Sequence, residues 1–278
     1  MPEELAQPLP ERPGMTAADY EEFKRHILEL TGLDLSCYKQ RQMQRRINAL
    51  MDSLKVPTYR QYFRLLQTDP ARYEEFLKRI TINVSEFFRN PERFADLERE
   101  YLPQLLRKGR ALKVWSAGCS TGPEPYSLAI ILLDLAPGLP HRVLGTDIDR
   151  VVLERAKAGV YQAAELKNVS PMRLARYFEP TGGAYRVKDE VKALVDLRRQ
   201  NLLTDPFERN FDLILCRNVV IYFTEEAKHL LYQKFYQALA PGGIFLVGGT
   251  EPILRFREYG FEAVGPTFYR RPEVSAGR

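Results

Sequence analysis

The second half of the chain alternates between apolar segments of strand length and segments of helix length, and this alternation constrains the fold more than any other feature. Such a succession builds a parallel sheet with helices on both faces, and ligands bind beyond the carboxyl ends of its strands. We therefore predict an α/β fold whose chemistry lies in the loops after the strands. The predicted strands and intervening helices lie at 112–117, 123–135, 142–146, 211–216, 224–239 and 244–247.

The first part of the chain has a different pattern, with apolar residues at helical spacing and no convincing strand. Turn signals such as Gly32 and Asp69-Pro70 divide it into helices. We predict a small all-helical domain over 15–82, after a proline-rich lead over 1–14 that we expect to be disordered. The four helices are predicted at 16–31, 36–53, 58–68 and 71–82.

Between residues 159 and 200 the alternation of strand and helix breaks. A predicted helix at 170–178 is followed by a Gly182-Gly183 pair. Two short strand-like segments come after the glycines. We interpret the region of about 179–200 as a small antiparallel β insertion in the α/β domain. Its strand-like segments are 184–188 and 194–199.

The second predicted helix has an apolar stripe and an unusually basic remainder. Arg41 and Arg45 fall opposite the stripe, whereas Lys39 and Arg46 flank it. Two interpretations are open at this point, a solvated helix face or a docking face for an acidic helix or groove. The stripe consists of Met43, Ile47, Leu50, Met51 and Leu54.

The composition excludes several classes of protein. The net charge of +5 comes without the dense basic cluster of nucleic-acid binders, so we expect no nucleic-acid partner. No apolar run has the length of a membrane span, and the N-terminus lacks the apolar core of a signal peptide. The three cysteines and three histidines are widely separated, which predicts neither a disulfide scaffold nor a metal site. We expect a cytoplasmic monomer that does not insert into the membrane.

A glycine loop and an acidic residue mark the candidate site. The first predicted strand runs into Gly118-Cys-Ser-Thr-Gly122 before a helix that starts at Pro123, and glycines there let a ligand approach the backbone. Asp147 ends the second strand, where an acidic side chain binds ribose hydroxyls. The glycine spacing matches neither a dinucleotide fingerprint nor a P-loop. The residues predict an adenosine-containing ligand, with NAD and S-adenosylmethionine both open.

Five motifs in a fixed order carry a family resemblance. They are Asn83-Val-Ser-Glu-Phe-Phe-Arg89, Trp115-Ser-Ala-Gly-Cys-Ser-Thr-Gly-Pro-Glu-Pro-Tyr-Ser127, Thr146-Asp-Ile-Asp149, Asn201-Leu-Leu203 and Cys216-Arg-Asn-Val-Val-Ile-Tyr-Phe223. Together they resemble the chemotaxis-receptor protein-glutamate O-methyltransferases, the CheR family. The resemblance implies a class I, Rossmann-like methyltransferase domain over 111–278, cofactor-contacting helices and a linker over 83–110, and a receptor-docking helical domain before them.

The resemblance also implies the residues of the site. Those expected to bind S-adenosylmethionine are Asn83, Ser85, Arg89, Glu124, Asp147, Asn201, Leu202, Arg217 and Asn218. Those expected to position the reacting groups are Arg89, Arg217 and Tyr222. Those expected to face the cytoplasmic helices of a chemoreceptor are Lys39, Arg41, Arg45 and Arg46. Pro123 departs from the family motif, which commonly has a second glutamate before Glu124.

In some family members the β insertion grips a peptide tether at the C-terminus of the receptor. Those members carry a longer glycine-rich loop than the short Gly182-Gly183 turn of this chain. We therefore expect this protein to act without the tether.

The implied reaction needs little from the protein in the way of acid–base chemistry. A glutamate carboxylate is already ionised at neutral pH and requires no general base. Its attack on a sulfonium methyl disperses charge, so a desolvated site that aligns the partners accelerates it. Two alternatives stay open: a non-catalytic receptor-binding module that keeps a cofactor pocket, and an NAD-dependent oxidoreductase, which the glycine spacing disfavours.

Overall fold

The computed structural model describes residues 15–81 and 85–273. The predicted disordered lead at 1–14 and the candidate residue Asn83 lie outside these stretches. Within the described stretches, no helix is both long and apolar enough to cross a membrane.

The chain divides into two compact units, one helical and one α/β. The helical unit includes Tyr222–His229, a segment that the sequence pattern placed in the α/β domain. The bounds of the two units are Met1–Asn83 with Tyr222–His229, and Val84–Ile221 with Leu230–Arg278.

The helical unit contains the four predicted helices. Threonines cap two of them, and the Thr16 side chain accepts the N–H of Asp19 in a capping box. The predicted apolar stripe of the second helix is confirmed, because four of its members are buried and Leu54 is half-buried. The helices are α1 (Ala17–Thr31), α2 (Gln40–Ser53), α3 (Tyr59–Thr68) and α4 (Pro70–Thr81).

The second helix begins four residues later than the sequence predicts. Tyr38 forms a β-bridge with Phe223, and the Lys39 N–H donates to the Tyr222 carbonyl at 2.9 Å. These bonds hold the segment before Gln40 in an extended conformation, and only a short 3₁₀ turn precedes it. The difference arises because the bonding partner is distant in sequence, whereas helical periodicity is a local signal.

The α/β unit is built on a seven-stranded sheet in the order β6-β2-β1-β7-β8-β10-β9. The first five strands of this order are parallel, and β10 runs antiparallel to both of its neighbours. The chain leaves β1 toward β2 on one side and later returns to β7 on the other, which creates a ligand crevice at the carboxyl ends of these strands. The strands are β1 (Lys113–Ala117), β2 (Arg142–Asp147), β6 (Val195–Arg199), β7 (Phe211–Cys216), β8 (Leu239–Val247), β9 (Glu262–Ala263) and β10 (Phe268–Arg270).

Helices accompany this sheet, and the apolar α7 is buried along most of its length. The predicted helix at 123–135 is confirmed at both ends, with the positive φ of Gly122 before it and Pro123 in its first turn. The helices are α5 (Pro91–Asp96), a π-helical turn (Leu97–Tyr101), α6 (Leu102–Leu106), α7 (Pro123–Leu135), α8 (Arg150–Ala158), α9 (Pro171–Tyr177), α10 (Asp189–Lys192) and α11 (Glu225–Ala238), of which the part from Leu230 onward belongs to this unit.

The small antiparallel sheet exists, but its strands differ from the predicted ones. A hairpin of β4 (Phe178–Thr181) and β5 (Ala184–Val187) turns at the two glycines, and β3 (Val160–Tyr161) pairs with β5. The segment predicted as the last strand of the insertion instead forms β6 of the main sheet, parallel to β2. Because β6 ends beside the tip of β2, with Arg199 paired to Asp147, the loop that follows reaches the carboxyl edge of the sheet.

Candidate active site

The glycine loop after β1 turns sharply at three residues with positive φ. Gly118, Ser120 and Gly122 have φ of 77°, 50° and 95°. The Gly118 N–H donates to the Thr146 carbonyl at 2.8 Å, which joins the loop to the end of β2. A Cβ on Gly118 would lie 2.5 Å from a methyl carbon of Val219, so the glycine permits close packing against the loop after β7.

Asp147 is buried at the tip of β2, where the sequence predicts it. Its carboxylate accepts the N–H of Ser120 at 2.8 Å and that of Asp149 at 3.0 Å. Burial raises the pKa of Asp147 to about 6, and the N–H donors oppose part of this rise. A carboxylate held by the glycine loop at the end of the second strand suits two vicinal hydroxyls of a ribose.

Glu124 and Arg217 form the charged centre of the site. Glu124 lies in the first turn of α7, where its carboxylate accepts the Ser116 hydroxyl at 2.7 Å and an Arg217 N–H at 3.1 Å. The Arg217 side chain is almost wholly buried and also donates to the Arg89 carbonyl at 2.8 Å and to Asn90 Oδ1 at 2.7 Å. Three predicted site residues, Glu124, Arg217 and the backbone of Arg89, are thus brought together.

The segment that carries Ser85 and Arg89 is anchored to the start of α7. The Phe88 N–H donates to Ser127 Oγ at 3.0 Å, and that hydroxyl donates to the Pro123 carbonyl at 2.7 Å. Phe88 has a φ of 51°, so the backbone turns sharply immediately before Arg89. Both Ser85 and Arg89 remain partly exposed.

Asn201 and Leu202 follow β6 and lie at the same edge of the sheet as Asp147. The backbone joins them to that residue, since the N–H of Gln200 donates to the Asp147 carbonyl at 2.9 Å. Asn201 and Leu202 are both buried. Asn201 Oδ1 accepts the Leu203 N–H at 3.0 Å in an Asx turn.

Lys234 on α11 is a residue of the site that sequence reasoning missed. Its ammonium donates to the carbonyls of Leu202 at 2.6 Å, Leu203 at 3.3 Å and Asp205 at 2.9 Å. Burial lowers the pKa of Lys234. Its position on the sheet-facing part of an amphipathic helix is the one sequence signal that could have marked it, since a lysine there needs buried acceptors.

Tyr161 on β3 joins the small sheet to the glycine loop. Its buried hydroxyl donates to the Thr121 carbonyl at 2.6 Å. Its ring packs edge-on against Phe87, with 4.9 Å between the ring centroids. Tyr161 therefore contacts two of the five motifs: the glycine-loop motif through Thr121 and the Asn83–Arg89 motif through Phe87.

Tyr222 belongs to the helical unit, and one of the predicted docking residues lies over it. The Arg46 guanidinium is 4.7 Å from the centroid of the Tyr222 ring and donates to the Ile80 carbonyl at 3.1 Å. Arg41 and Arg46 are half-buried, whereas Lys39 and Arg45 are exposed. The basic face of α2 therefore has an outward part and a part engaged within the unit.

Two buried polar atoms at the site have no protein partner among the described residues. They are Ser120 Oγ in the glycine loop and Arg217 Nε. Buried polar groups in native proteins are normally satisfied, so these two atoms are available for hydrogen bonds to a ligand. A hydroxyl and an N–H donor in this position, together with the Asp147 carboxylate, fit a ligand that combines a ribose with an amino-acid carboxylate.

Nucleophilic and metal chemistry gain no support from the described residues. Cys119 is buried, and burial raises its thiol pKa well above the usual value, which opposes a thiolate. His141 Nδ1 accepts the Leu112 N–H at 3.0 Å as part of the fold. No cluster of potential metal ligands occurs across 15–81 and 85–273.

Two family models match the chain. The all-alpha domain of CheR methyltransferases matches residues 18–81, and the SAM binding domain of CheR methyltransferases matches residues 83–267. The second match includes every predicted cofactor-binding residue.

Curated relatives match over most of their own length. The chain is 42% identical over 253 residues to the chemotaxis protein methyltransferase of Listeria monocytogenes serovar 1/2a, covering 90% of this chain and 96% of that protein. It is 33% identical over 269 residues to that of Escherichia coli K12, covering 93% and 92%. It is 32% identical over 265 residues to chemotaxis protein methyltransferase 2 of Pseudomonas aeruginosa, covering 91% and 93%.

Proposed function

The chain belongs to the CheR methyltransferase family, and from this premise we propose that it transfers methyl groups from S-adenosylmethionine to glutamate side chains of chemoreceptors. The products would be the glutamate methyl esters of chemotaxis adaptation. The predicted family, the class I fold and the use of S-adenosylmethionine are confirmed by the family models and relatives. The residue roles and the acceptor are proposals.

One observation supports a methyl donor over a dinucleotide most directly. In dinucleotide-binding folds the pyrophosphate lies at the N-terminus of the helix after the first strand. Here the first turn of that helix carries Glu124, whose carboxylate is 3.1 Å from the Arg217 guanidinium. Although Arg217 balances part of its charge, the carboxylate occupies the position of a pyrophosphate with an acceptor-only group, which suits the ammonium group of a methionine end. The NAD-dependent alternative is therefore disfavoured.

Different residues of the described site are proposed to bind different parts of the cofactor. Asp147 would accept the ribose hydroxyls, while Asn201 and Leu202 would enclose the adenine. Glu124 and Arg89 would hold the methionine end, to which the unpartnered Nε of Arg217 would also donate. Ser85 and Asn218 flank these groups in sequence and complete the proposed set. Asn83 retains its expected role on the family motif alone.

The chemistry asks the protein for alignment and exclusion of water. S-adenosylmethionine supplies a methyl group bound to a sulfonium, and the acceptor carboxylate forms the new C–O bond as the C–S bond breaks. Arg217 and Tyr222 are proposed to orient that carboxylate, which needs no proton removed because it is already ionised. Buried surroundings at Arg217 favour this reaction, since charge disperses as the bond forms.

The basic face of α2 is proposed to meet the glutamate-rich cytoplasmic helices of the receptor. The exposed Lys39 and Arg45, with the half-buried Arg41 between them in sequence, would provide the contact, and Arg46 would join this face to Tyr222, over whose ring it lies. Because the substrate helices are cytoplasmic, we propose that the protein acts in the cytoplasm. We also propose that it acts as a monomer.

Methyl transfer to purified receptor cytoplasmic fragments tests the proposal. With labelled S-adenosylmethionine, we expect label on the receptor that mild alkali releases as methanol, because esters are base-labile. A receptor fragment whose acceptor glutamates are replaced by alanine is the control. Label that resists alkali would contradict the ester product, and binding of S-adenosylhomocysteine without any transfer would favour the non-catalytic module.

A further inference from the structure

A buried carboxylate outside the five motifs quoted above holds the loop after β7. Glu251 lies after β8 and is 5% exposed. Its oxygens accept three backbone N–H groups, from Asn218 at 2.5 Å, Ile221 at 3.1 Å and Gly248 at 3.0 Å. Burying a carboxylate is costly unless such donors compensate it. The side chain thus fixes the backbone of another loop at two points.

The fixed segment lies between the two residues proposed to orient the acceptor carboxylate. Arg217 precedes Asn218, and Tyr222 follows Ile221. Asn218 has a φ of 60°, a left-handed conformation that asparagine adopts more readily than most other non-glycine residues. The Glu251 carboxylate holds the N–H of Asn218 in this conformation.

The adjacent glycines show how much room the carboxylate needs. A Cβ on Gly248 would overlap Glu251 Oε2 and lie 3.0 Å from the Asn218 nitrogen. A Cβ on Gly249 would meet no atom within 4 Å. Glycine at position 248 therefore leaves space for the carboxylate, whereas position 249 is unconstrained.

We propose that Glu251 is a positioning residue for methyl transfer, which acts through the Asn218–Ile221 backbone on the placement of Arg217 and Tyr222. This inference rests on the proposed function for its kinetic consequences. The structural part, the restraint on Asn218 and Ile221, is independent of the acceptor.

Glu251→Gln is the first test, because it preserves the shape while turning one acceptor oxygen into an NH₂ group that faces an N–H donor. We expect kcat for receptor methylation to fall about tenfold or more, since small misplacements of reacting groups are costly. The dissociation constant of S-adenosylhomocysteine should rise by a smaller factor than kcat falls, because Arg217 and Asn218 are also proposed to contact the cofactor. Gly248→Ala should act in the same way by displacing the carboxylate, and Gly249→Ala is the matched control with wild-type kcat.

A double mutant separates positioning from general destabilisation. If Glu251 acts through the loop that carries Tyr222, the kcat losses of Glu251→Gln and Tyr222→Phe should combine to less than their product. Full multiplication of the two losses, wild-type kcat in Glu251→Gln, or equal kcat in the Gly248→Ala and Gly249→Ala variants would each overturn the inference.

Amide hydrogen exchange provides a readout that needs no receptor. Protection at Asn218 and Ile221 should fall in Glu251→Gln and Gly248→Ala but not in Gly249→Ala. Unchanged protection would overturn the restraint itself. If the wild-type protein does not methylate a receptor, the proposed function fails, while hydrogen exchange still decides whether Glu251 holds the loop.

Discussion

Cofactor affinity should depend on pH through a single carboxylate. Burial raises the pKa of Asp147 to about 6 in the free protein. Ribose hydroxyls donate to the ionised carboxylate, so binding favours the deprotonated form. Affinity should therefore be complete above this pKa and be lost as pH falls through it, because a bound proton must first leave.

The size of the effect follows from the fraction ionised. A carboxyl with a pKa of about 6 is ionised in about nine of ten molecules at pH 7 and in about one of ten at pH 5. The apparent dissociation constant of S-adenosylhomocysteine should then rise about tenfold over this interval, or about 1.4 kcal/mol. The amino and carboxyl groups of the ligand titrate outside this interval and do not add to the effect.

Calorimetric titration with S-adenosylhomocysteine at constant ionic strength measures this dependence. Asp147→Asn is the control, because it keeps the shape and removes the titrating group. The variant should bind S-adenosylhomocysteine more weakly, since each lost charge-assisted bond costs about 1.5–3 kcal/mol. Its dissociation constant should not change between pH 5 and 7, because the titrating carboxyl group is gone. An affinity in the wild-type protein that does not change with pH, or the same slope in the variant, would refute the reasoning.

Four further outcomes are expected. Tyr222→Phe should lower kcat about tenfold or more at an unchanged melting temperature, and wild-type turnover would reject its role. Reversing Arg41 and Arg45 to glutamate should raise the KM for receptor at low salt, with a smaller effect at high salt and unaltered S-adenosylhomocysteine binding; an unaffected KM would reject the docking face. Lys234→Met should weaken S-adenosylhomocysteine binding, because three carbonyls lose a charged donor; unchanged affinity in calorimetry would count against this. Removal of the receptor's C-terminal tail should leave the methylation rate unchanged, and a large loss would show dependence on the tether.

Local periodicity was enough to predict most of the α/β fold. The helix over 123–135 and the buried strand at 211–216 appear with the predicted bounds, because both are continuous apolar segments ended by turn signals. Pairing was not predictable in the same way. The segment 194–199 has a strand pattern that suits either sheet, and its parallel bonds to β2 decide its place. The start of α2 likewise depends on a bridge from Tyr38 to a residue far along the chain.

The residues of the candidate site were predictable where a particular residue type has a known role at a recognisable position in the fold. Asp147 at a strand tip and Glu124 after a glycine loop are of this kind. Lys234 and Glu251 are not, because each binds backbone groups of another segment. Backbone N–H and carbonyl groups occur at nearly every residue. The sequence therefore does not show which of them a charged side chain binds.

The two ends of the segment that forms the small sheet lie next to each other, because the Val187 N–H donates to the Gly159 carbonyl at 2.9 Å. A segment with adjoining ends can be exchanged between relatives as a cassette without changing the order of the parallel strands. The hairpin of the small sheet can therefore diverge while the cofactor crevice is inherited intact. The exchange has one requirement: a graft must keep a tyrosine at position 161, because its hydroxyl bonds to the Thr121 carbonyl in the glycine loop. Chimaeras that lack this hydroxyl should lose cofactor affinity even when their new hairpin folds.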